Sequence, residues 1–221
     1  MPYRKELLVE GETYHICTKS ISGFKIFNTD KEFQRMLDTM VFYTMAKTPC
    51  KFSSFLTTSK PASELGSDAG LEVDEKIVKI IAYCLMPTHI HLILKQLKEE
   101  GISRYMNLIL KSYSRYFNIR HRRKGPLWEA RFRGITVNTD EQLLHLTRYI
   151  HLNPVTAYLV NKSEEWKFSS YCEYIGLIDK DKKTCDFSDC LDINVLLYRS
   201  FVDDQVAYQR ELARIKDLTL E

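Results

Sequence analysis

The stretch KIVKIIAYCL at residues 76–85, the turn Met86-Pro87-Thr88 and the stretch HIHLILK at residues 89–95 decide the fold of this chain. Both stretches are short, nearly continuous in apolar residues and rich in β-branched side chains. Such runs are typical of strands that are covered on both faces of a sheet. The sequence therefore predicts a hairpin of two central strands.

The segment before this hairpin has the pattern of one strand and one helix. Tyr14–Lys19 is rich in β-branched and aromatic residues and predicts a first strand. A helix that extends to Lys47 follows, because apolar residues recur at three- and four-residue spacings. Residues 53–75 are rich in Ser, Thr, Gly, Pro, Asp and Glu and predict a mobile surface loop. The apolar positions of the helix are Phe33, Met36, Leu37, Met40, Val41 and Met45, and its candidate caps are Asn28, Thr29 and Asp30.

The segment after the hairpin predicts a helix, a strand and a further helix. Gly101–Arg122 has apolar and aromatic residues at a helical period, and Leu127–Val137 is a strand candidate. Asp140 begins another helix, which Pro154 is expected to limit. The order β-α-β-β-α-β is the signature of a ferredoxin-like α+β fold, an antiparallel sheet with helices on one face, here followed by an extra helix.

Composition and length bound the class of protein. A chain of 221 residues with 44% hydrophobic residues can bury one sizeable core, so we expect one main domain at 1–160. Residues 161–221, with a short helix at Trp166–Tyr174 and one or two amphipathic helices at Val195–Leu218, are expected to form a helical C-terminal extension packed on it.

Membrane and disulfide chemistry are both disfavoured. No run reaches the roughly 18 apolar residues needed to span a bilayer, and no apolar stretch follows the charged amino terminus. The six cysteines lack a Cys-x-x-Cys pair, which predicts reduced, mostly buried thiols rather than a zinc site. We therefore expect a cytoplasmic chain without a membrane partner.

His89 and His91 are the first candidates for a site that carries chemistry. Because side chains alternate along a strand, the two imidazoles share one face and Ile90 lies on the other. Imidazoles among Ile, Leu and Val need a polar partner, which a divalent cation supplies. The pattern alone leaves open whether the pair binds metal or is a structural pair. A third histidine at position 93 would have indicated a histidine-triad hydrolase, but Ile93 stands there.

Tyr149 and Asn153 form a second candidate pair. They are four residues apart and share one face of the predicted helix. Asn153 can offer its amide oxygen as a third metal ligand, and Tyr149 can then attack a phosphodiester as a phenolate. The alternative is a core tyrosine and an asparagine that ends a helix before a proline.

Positive charge is gathered in residues 104–133. Nine basic residues and one acid, Glu129, give this stretch a charge of +8, although the whole chain has only +3. Phosphates attract such cations and unstacked bases lie on aromatic rings, so single-stranded or hairpin nucleic acid is the predicted partner. A solvated helix face is the alternative. The cations are Arg104, Lys111, Arg115, Arg120, Arg122, Arg123, Lys124, Arg131 and Arg133, interleaved with Tyr113, Tyr116, Phe117, Trp128 and Phe132.

Four motifs in order along the chain resemble those of the single-tyrosine HUH transposases, and within them the REP-associated tyrosine transposases. They are PTHIHL at 87–92, GPLWEARF at 125–132, YIHLNPV at 149–155 and WKFSSY at 166–171. Each motif alone is weak, but the four in sequence are specific.

The resemblance implies a catalytic domain at 1–160, with Tyr149 as the nucleophile and with His89, His91 and Asn153 as ligands of Mg²⁺ or Mn²⁺. It implies transesterification of single-stranded DNA, which gives a 5′-phosphotyrosine linkage and a free 3′-hydroxyl that can later rejoin strands. The predicted DNA contacts come from the basic stretch and from Arg148; they are Lys111, Arg115, Arg120, Arg122, Arg123, Lys124, Trp128, Arg131, Arg133 and Arg148.

Three hypotheses follow from the sequence. The first is a metal-dependent transposase, a DNA nickase-ligase that acts as a monomer or homodimer. The second is a non-catalytic relative that binds hairpin DNA or RNA, and the third is RNA processing by the same fold. Tyr113 and Tyr116 compete with Tyr149 for the role of nucleophile, but the residues four positions after them are Phe117 and Arg120 rather than Asn or Gln.

Overall fold

The computed structural model describes residues 7–46, 48, 50, 52–55 and 76–218, with side chains up to residue 213. Four strands are present in these residues: β1 (Thr13–Lys19), β2 (Val78–Met86), β3 (His89–Gln96) and β4 (Arg133–Val137). The helices are α1 (Asp30–Phe42), α2 (Phe52–Phe55), α3 (Gly101–Arg120), α4 (Asp140–Thr156), α5 (Tyr171–Tyr174), α6 (Val195–Asp203) and α7 (Val206–Leu218). None of the helices so described combines the length and the apolar character needed to cross a membrane.

The four strands form one antiparallel sheet in the order β2-β3-β1-β4. The hairpin predicted at 76–95 is confirmed, with Met86 opposite His89 at its turn. β3 lies between β2 and β1, so both of its edges are hydrogen-bonded. Two β-α-β connections that place β1 and β3 at the centre define the ferredoxin-like topology, and the predicted α+β fold is confirmed.

One face of the sheet carries α1 and α3. Alternate strand residues such as Ile16 and Leu92 face this side and pack against both helices. The Glu32 carboxylate accepts backbone N–H groups of Asn28 and Thr29, as in a capping box, and is fully buried. Arg120 and His121 also bind it, so this carboxylate fastens the start of α1 to the end of α3.

The other face of the sheet carries α4 and the residues beyond 160. Ile150 of α4 packs on Ile93 of β3, together with Tyr174 and Tyr198 of the extension. Trp166 packs against the cores on both faces, and its indole N–H donates to the carbonyl oxygen of Leu85. Residues beyond 160 therefore contribute to the apolar packing on both faces of the sheet. The domain boundary near 160 stays a prediction.

Several predicted boundaries are wrong. The first helix ends at Phe42 rather than Lys47, the last strand begins at Arg133 rather than Leu127, and only Tyr171–Tyr174 of the segment 166–174 is α-helical. The strand is shorter because the chain at Leu127 and Trp128 pairs with the segment just after β1 instead of with β1 itself. Of the predicted loop 53–75, residues 53–55 lie in α2 and residues 56–75 lie outside the described residues.

Pro154 lies inside α4 and does not end it, contrary to the prediction. A proline in the last turn of a helix removes one N–H donor, and Pro154 is buried, so its packing offsets that loss. The N–H of Ala157 donates to the Asn153 carbonyl at 2.9 Å, so the helix continues past the proline. Asn153 therefore keeps its helical position one turn after Tyr149.

Candidate active site

His89 and His91 lie on the central strand β3 and face α4. Their ring centroids are 5.0 Å apart, and Ile90 between them is buried on the opposite face of the sheet. His91 is 6% exposed and His89 is half-buried. Both rings therefore lie on one face of the sheet, as alternation along the strand predicted.

A third imidazole, that of His15 on β1, completes the cluster. Its Nε2 lies 3.1 Å from Nδ1 of His91, and the two rings are stacked with centroids 5.3 Å apart and planes 16° from parallel. His15 was not predicted as a site residue from the sequence. Its strand was predicted, and alternation puts it on the face opposite Tyr14, but the pairing of β1 with β3 is needed to bring it to His91.

The outer ring nitrogens of the histidine pair both have protein partners. Nδ1 of His89 lies 2.9 Å from the Thr88 hydroxyl, and Nδ1 of His91 lies beside His15. Within the described part of the chain, neither Nε2 atom takes part in a hydrogen bond. Metal-binding histidines have this arrangement, in which one nitrogen is oriented by the protein and the other stays open.

All three imidazoles are neutral at pH 7. Burial, with a further contribution from the Lys19 ammonium, lowers the pKa of His89 to about 4. Burial and the neighbouring His89, His15 and Lys19 lower the pKa of His91 to about 3, and burial also lowers the pKa of His15. Neutral imidazoles keep the lone pairs that metal coordination requires.

Tyr149 of α4 lies against this cluster. Its ring centroid is 5.7 Å from that of His91 and 6.2 Å from that of His15, both edge-on, and 44% of the residue is exposed. Burial of part of the ring, with the nearby Cys17, raises the pKa of the phenol above its ordinary value. The hydroxyl is therefore protonated at neutral pH.

The competing tyrosines lie elsewhere. Tyr113 is fully buried in the core on the other face of the sheet, and its hydroxyl donates to the carbonyl oxygen of Ile26 at 2.6 Å. Tyr116 is half-buried beside Arg35, whose guanidinium lies 5.1 Å from its ring. Both belong to α3, which covers the face of the sheet opposite the histidines.

Asn153 follows Tyr149 by one turn of α4. Its side-chain Nδ2 is buried, and no hydrogen-bond acceptor contacts it in the described part of the chain. A buried amide without a partner costs about 1–3 kcal/mol, so such an atom calls for an explanation. Among the described residues, no group of three or more His, Cys, Asp or Glu side chains is arranged to hold a metal ion. A metal on the two histidines would therefore need ligands of another kind.

Two cations flank the histidines on the same face of the sheet. Lys19 is the register partner of His89, and Arg133 of β4 is the register partner of Cys17, which in turn is opposite His91. Arg133 is exposed. Arg133 was predicted as a DNA contact. Lys19 was not, because only the strand register places Lys19 beside the site.

The other predicted DNA contacts fall into two groups. Lys111, Arg115, Arg122 and Lys124 are exposed on α3 or directly after it, on the opposite side of the sheet from Tyr149, and Arg131 is exposed near β4. The remaining four have internal partners. Arg120 binds Glu32, Arg123 donates to the Pro126 carbonyl, Trp128 donates to the Leu110 carbonyl, and Arg148 lies 4.0 Å from the centroid of the Phe201 ring.

Fold and site together define a class: a ferredoxin-like α+β protein in which paired histidines on the central strand lie beside a tyrosine of an additional helix. The family model described as "Transposase IS200 like" matches residues 68–153. This segment contains His89, His91, Tyr149 and Asn153.

Known proteins extend this likeness. A protein of Haemophilus influenzae that is named as a REP-associated tyrosine transposase is 28% identical over 102 residues, which cover 41% of this chain and 57% of that protein. The match thus spans little more than half the length of that relative. A solved structure, titled as this kind of transposase bound to a REP hairpin, aligns with a TM-score of 0.51 and 17% identity over 88% of this chain and 99% of that one. At this identity the structural likeness concerns the fold. The resemblance to the REP-associated tyrosine transposases is confirmed.

Proposed function

We propose that this chain is a metal-dependent transposase that cleaves and rejoins single-stranded DNA through Tyr149, with hairpin-containing DNA as its partner. The observation that carries the proposal is the position of a half-exposed tyrosine ring 5.7 Å from that of His91 within one chain. Because Tyr149 and His91 of one chain lie together, we propose that Tyr149 acts on the histidine site of its own chain.

Three side chains are proposed to hold Mg²⁺ or Mn²⁺. His89 and His91 would use their open Nε2 atoms, and Asn153 would use its amide oxygen. The buried amide of Asn153 supports this assignment, because turning its last side-chain torsion by 180° places Oδ1 where the unpartnered Nδ2 stands. Mixed imidazole and carbonyl ligands suit Mn²⁺ at least as well as Mg²⁺. When bound, the cation supplies Lewis-acid polarisation of a phosphodiester.

The chemical step belongs to Tyr149. Its phenolic oxygen attacks the phosphorus of the scissile phosphodiester, the bond from phosphorus to the 3′-oxygen of the preceding nucleotide breaks, and the phenolic proton is lost while the 3′-oxygen gains one. The products are a 5′-phosphotyrosine and a free 3′-hydroxyl, and reversal of the same step rejoins strands. Because the pKa of the phenol is raised, we expect the rate to increase with pH above neutrality.

Lys19 and Arg133 are proposed to hold the phosphates next to the scissile bond. Both lie on the histidine face of the sheet: Lys19 is opposite His89, and Arg133 is opposite Cys17, which is itself opposite His91. Two cations beside the site stabilise the negative charge that develops on the phosphate during attack. Lys111, Arg115, Arg122 and Lys124, on the other side of the sheet, are proposed to bind the hairpin rather than the scissile phosphate.

Detection of a covalent protein–DNA adduct tests the function. The protein is incubated with single-stranded oligonucleotides that carry hairpins from the DNA flanking its own gene, with Mg²⁺ or Mn²⁺, and denaturing electrophoresis then detects the adduct. We expect an adduct with the natural protein and none with Tyr149→Phe. Tyr149 is 44% exposed, so this variant should retain its stability within about 0.5 kcal/mol. Tyr158→Phe, a change at an exposed tyrosine beyond the end of α4, is the matched control and should form adduct normally.

The outcomes separate the hypotheses. An adduct that survives Tyr149→Phe, or that disappears only with Tyr113→Phe, would refute the assignment of the nucleophile. Hairpin binding without any adduct would favour the non-catalytic binding protein. Cleavage of RNA without an adduct would favour RNA processing.

A further inference from the structure

His15 is the one member of the histidine cluster to which the proposed chemistry gives no role. It lies on β1, and Nε2 of its ring is 3.1 Å from Nδ1 of His91. The stacked arrangement, with planes 16° apart, fixes the orientation of both rings. The contact is well formed and largely shielded from water, since His91 is 6% exposed.

A hydrogen bond between two neutral imidazole nitrogens contains a single proton. Whether that proton is bonded to His91 or to His15 determines whether His91 can bind a cation. If Nδ1 of His91 carries the proton, its Nε2 keeps a lone pair and can bind a cation. If Nε2 of His15 carries the proton instead, Nδ1 of His91 is the acceptor and its Nε2 bears a hydrogen, which excludes coordination. The two tautomeric arrangements are therefore equivalent as hydrogen bonds but opposite in function.

We propose that His15 is a positioning residue: its Nε2 accepts the Nδ1–H of His91 and so keeps the Nε2 lone pair of His91 available for a divalent cation. This inference rests on the proposed function and adds a residue that acts through a ligand rather than on DNA. The hydroxyl of Thr88, 2.9 Å from Nδ1 of His89, serves the first histidine in the same way.

The geometry favours positioning over direct ligation by His15. Its Nε2 is engaged by His91, so His15 can reach a cation through that atom only by giving up the bond. Removal of the acceptor would leave a buried N–H of His91 without a partner, which costs about 1–3 kcal/mol and favours the other tautomer. Loss of an outer partner of this kind typically weakens metal affinity by about 10–100-fold.

Two variants separate the roles of His15. His15→Phe keeps a flat ring but has no acceptor, whereas His15→Gln offers an amide oxygen that can accept the same N–H. His145→Phe, a change at an exposed histidine of α4, is the matched control. Binding of Mn²⁺ to the full-length protein without DNA is followed by the electron paramagnetic resonance signal of free Mn²⁺. Long-range ¹H–¹⁵N correlation spectra of the metal-free protein at pH 7.5 report which ring nitrogen of His91 carries the proton.

We expect His15→Phe to weaken Mn²⁺ binding by about 10–100-fold, and His15→Gln and His145→Phe to stay within about threefold of the natural protein. The spectra should show the proton of His91 on Nδ1 in the natural protein and a shift toward Nε2 in His15→Phe. Thermal melting of each variant verifies that it is folded.

Three results would overturn the inference. Unchanged Mn²⁺ affinity in His15→Phe would show that the lone pair does not depend on His15. Equal weakening in His15→Phe and His15→Gln would make His15 a ligand. A proton on Nε2 of His91 in the natural protein would contradict the proposed tautomer. If the natural protein bound no Mn²⁺, the metal part of the proposed function would fail, and the spectra would still decide the tautomer by themselves.

Discussion

Replacing Tyr198 with Phe removes one hydroxyl from a buried network that connects α6 to α4, the helix that carries Tyr149. The Tyr198 hydroxyl donates to Oγ1 of Thr147 at 2.9 Å, and the Thr147 hydroxyl donates in turn to the carbonyl oxygen of Leu144. Because the only proton of Tyr198 is used in this way, Tyr198 can only accept from Nδ1 of His151, which is 2.7 Å away. Nε2 of His151 lies 2.8 Å from the Ser170 hydroxyl.

The size of the effect follows from what the hydroxyl leaves behind. Phe retains the ring that packs 5.1 Å from that of Tyr174, so the apolar contacts of the 3%-exposed side chain persist. The N–H of His151 loses its acceptor and Thr147 loses its donor, both in fully buried positions. Leaving a buried polar group unsatisfied costs about 1–3 kcal/mol, and we expect the free energy of unfolding to fall by that amount.

Urea unfolding followed by circular dichroism measures this loss, and thermal melting should show a decrease of about 2–4 °C per kcal/mol. Tyr208→Phe is the matched control: this tyrosine of α7 is 59% exposed, and its change should stay within about 0.5 kcal/mol. If Tyr198→Phe has the same urea midpoint and slope as the natural protein, the network does not hold α6 to α4 and the reasoning is refuted.

Three further predictions concern pH, a glycine and the basic helix. Burial lowers the pKa of His151 to about 3, against about 6.5 in an unfolded chain, so below pH 6.5 the unfolded chain binds this proton and the folded chain does not. As the pH drops below 6.5, this residue should therefore lower the free energy of unfolding by about 1.4 kcal/mol per pH unit. Urea titrations should show that His151→Gln loses less stability between pH 7 and pH 5 than the natural protein does. Gly101→Ala should destabilise the protein by about 1–3 kcal/mol, because the new Cβ would lie 2.3 Å from the carbonyl oxygen of Ile77; an unchanged melting temperature would contradict this. Lys111→Ala and Arg115→Ala should each lower the affinity for hairpin DNA and reduce the slope of log affinity against log salt concentration by about 1. Neither change should slow adduct formation on an unpaired strand. Slower adduct formation would place these cations at the scissile phosphate instead.

The sequence predicted the elements of the fold where the pattern is local. The apolar runs on either side of Pro87 predicted the central hairpin, and the helical spacing in Gly101–Arg122 predicted α3, because hydrophobic periodicity depends on near neighbours only. Pro154 misled the prediction of the end of α4, since the packing that keeps a proline in the last turn is a tertiary effect.

The candidate site was predictable to the same extent. Alternation places His89 and His91 on one face, and helical spacing places Tyr149 and Asn153 on another, so each pair was visible in the sequence. That Tyr149 meets His91 depends on the packing of α4 over β3, which no local pattern contains.

What the sequence by itself determined is the set of strands and helices, the gathering of positive charge in residues 104–133, and the two residue pairs, because each of these depends on spacing along the chain. Only the tertiary structure decided which cations lie beside the site. The register of β1 against β3 places His15 next to His91 and Lys19 opposite His89. The physical reason is that pairing between strands joins residues seventy or more positions apart, and a shift of one residue would turn His15 and Lys19 to the other face of the sheet.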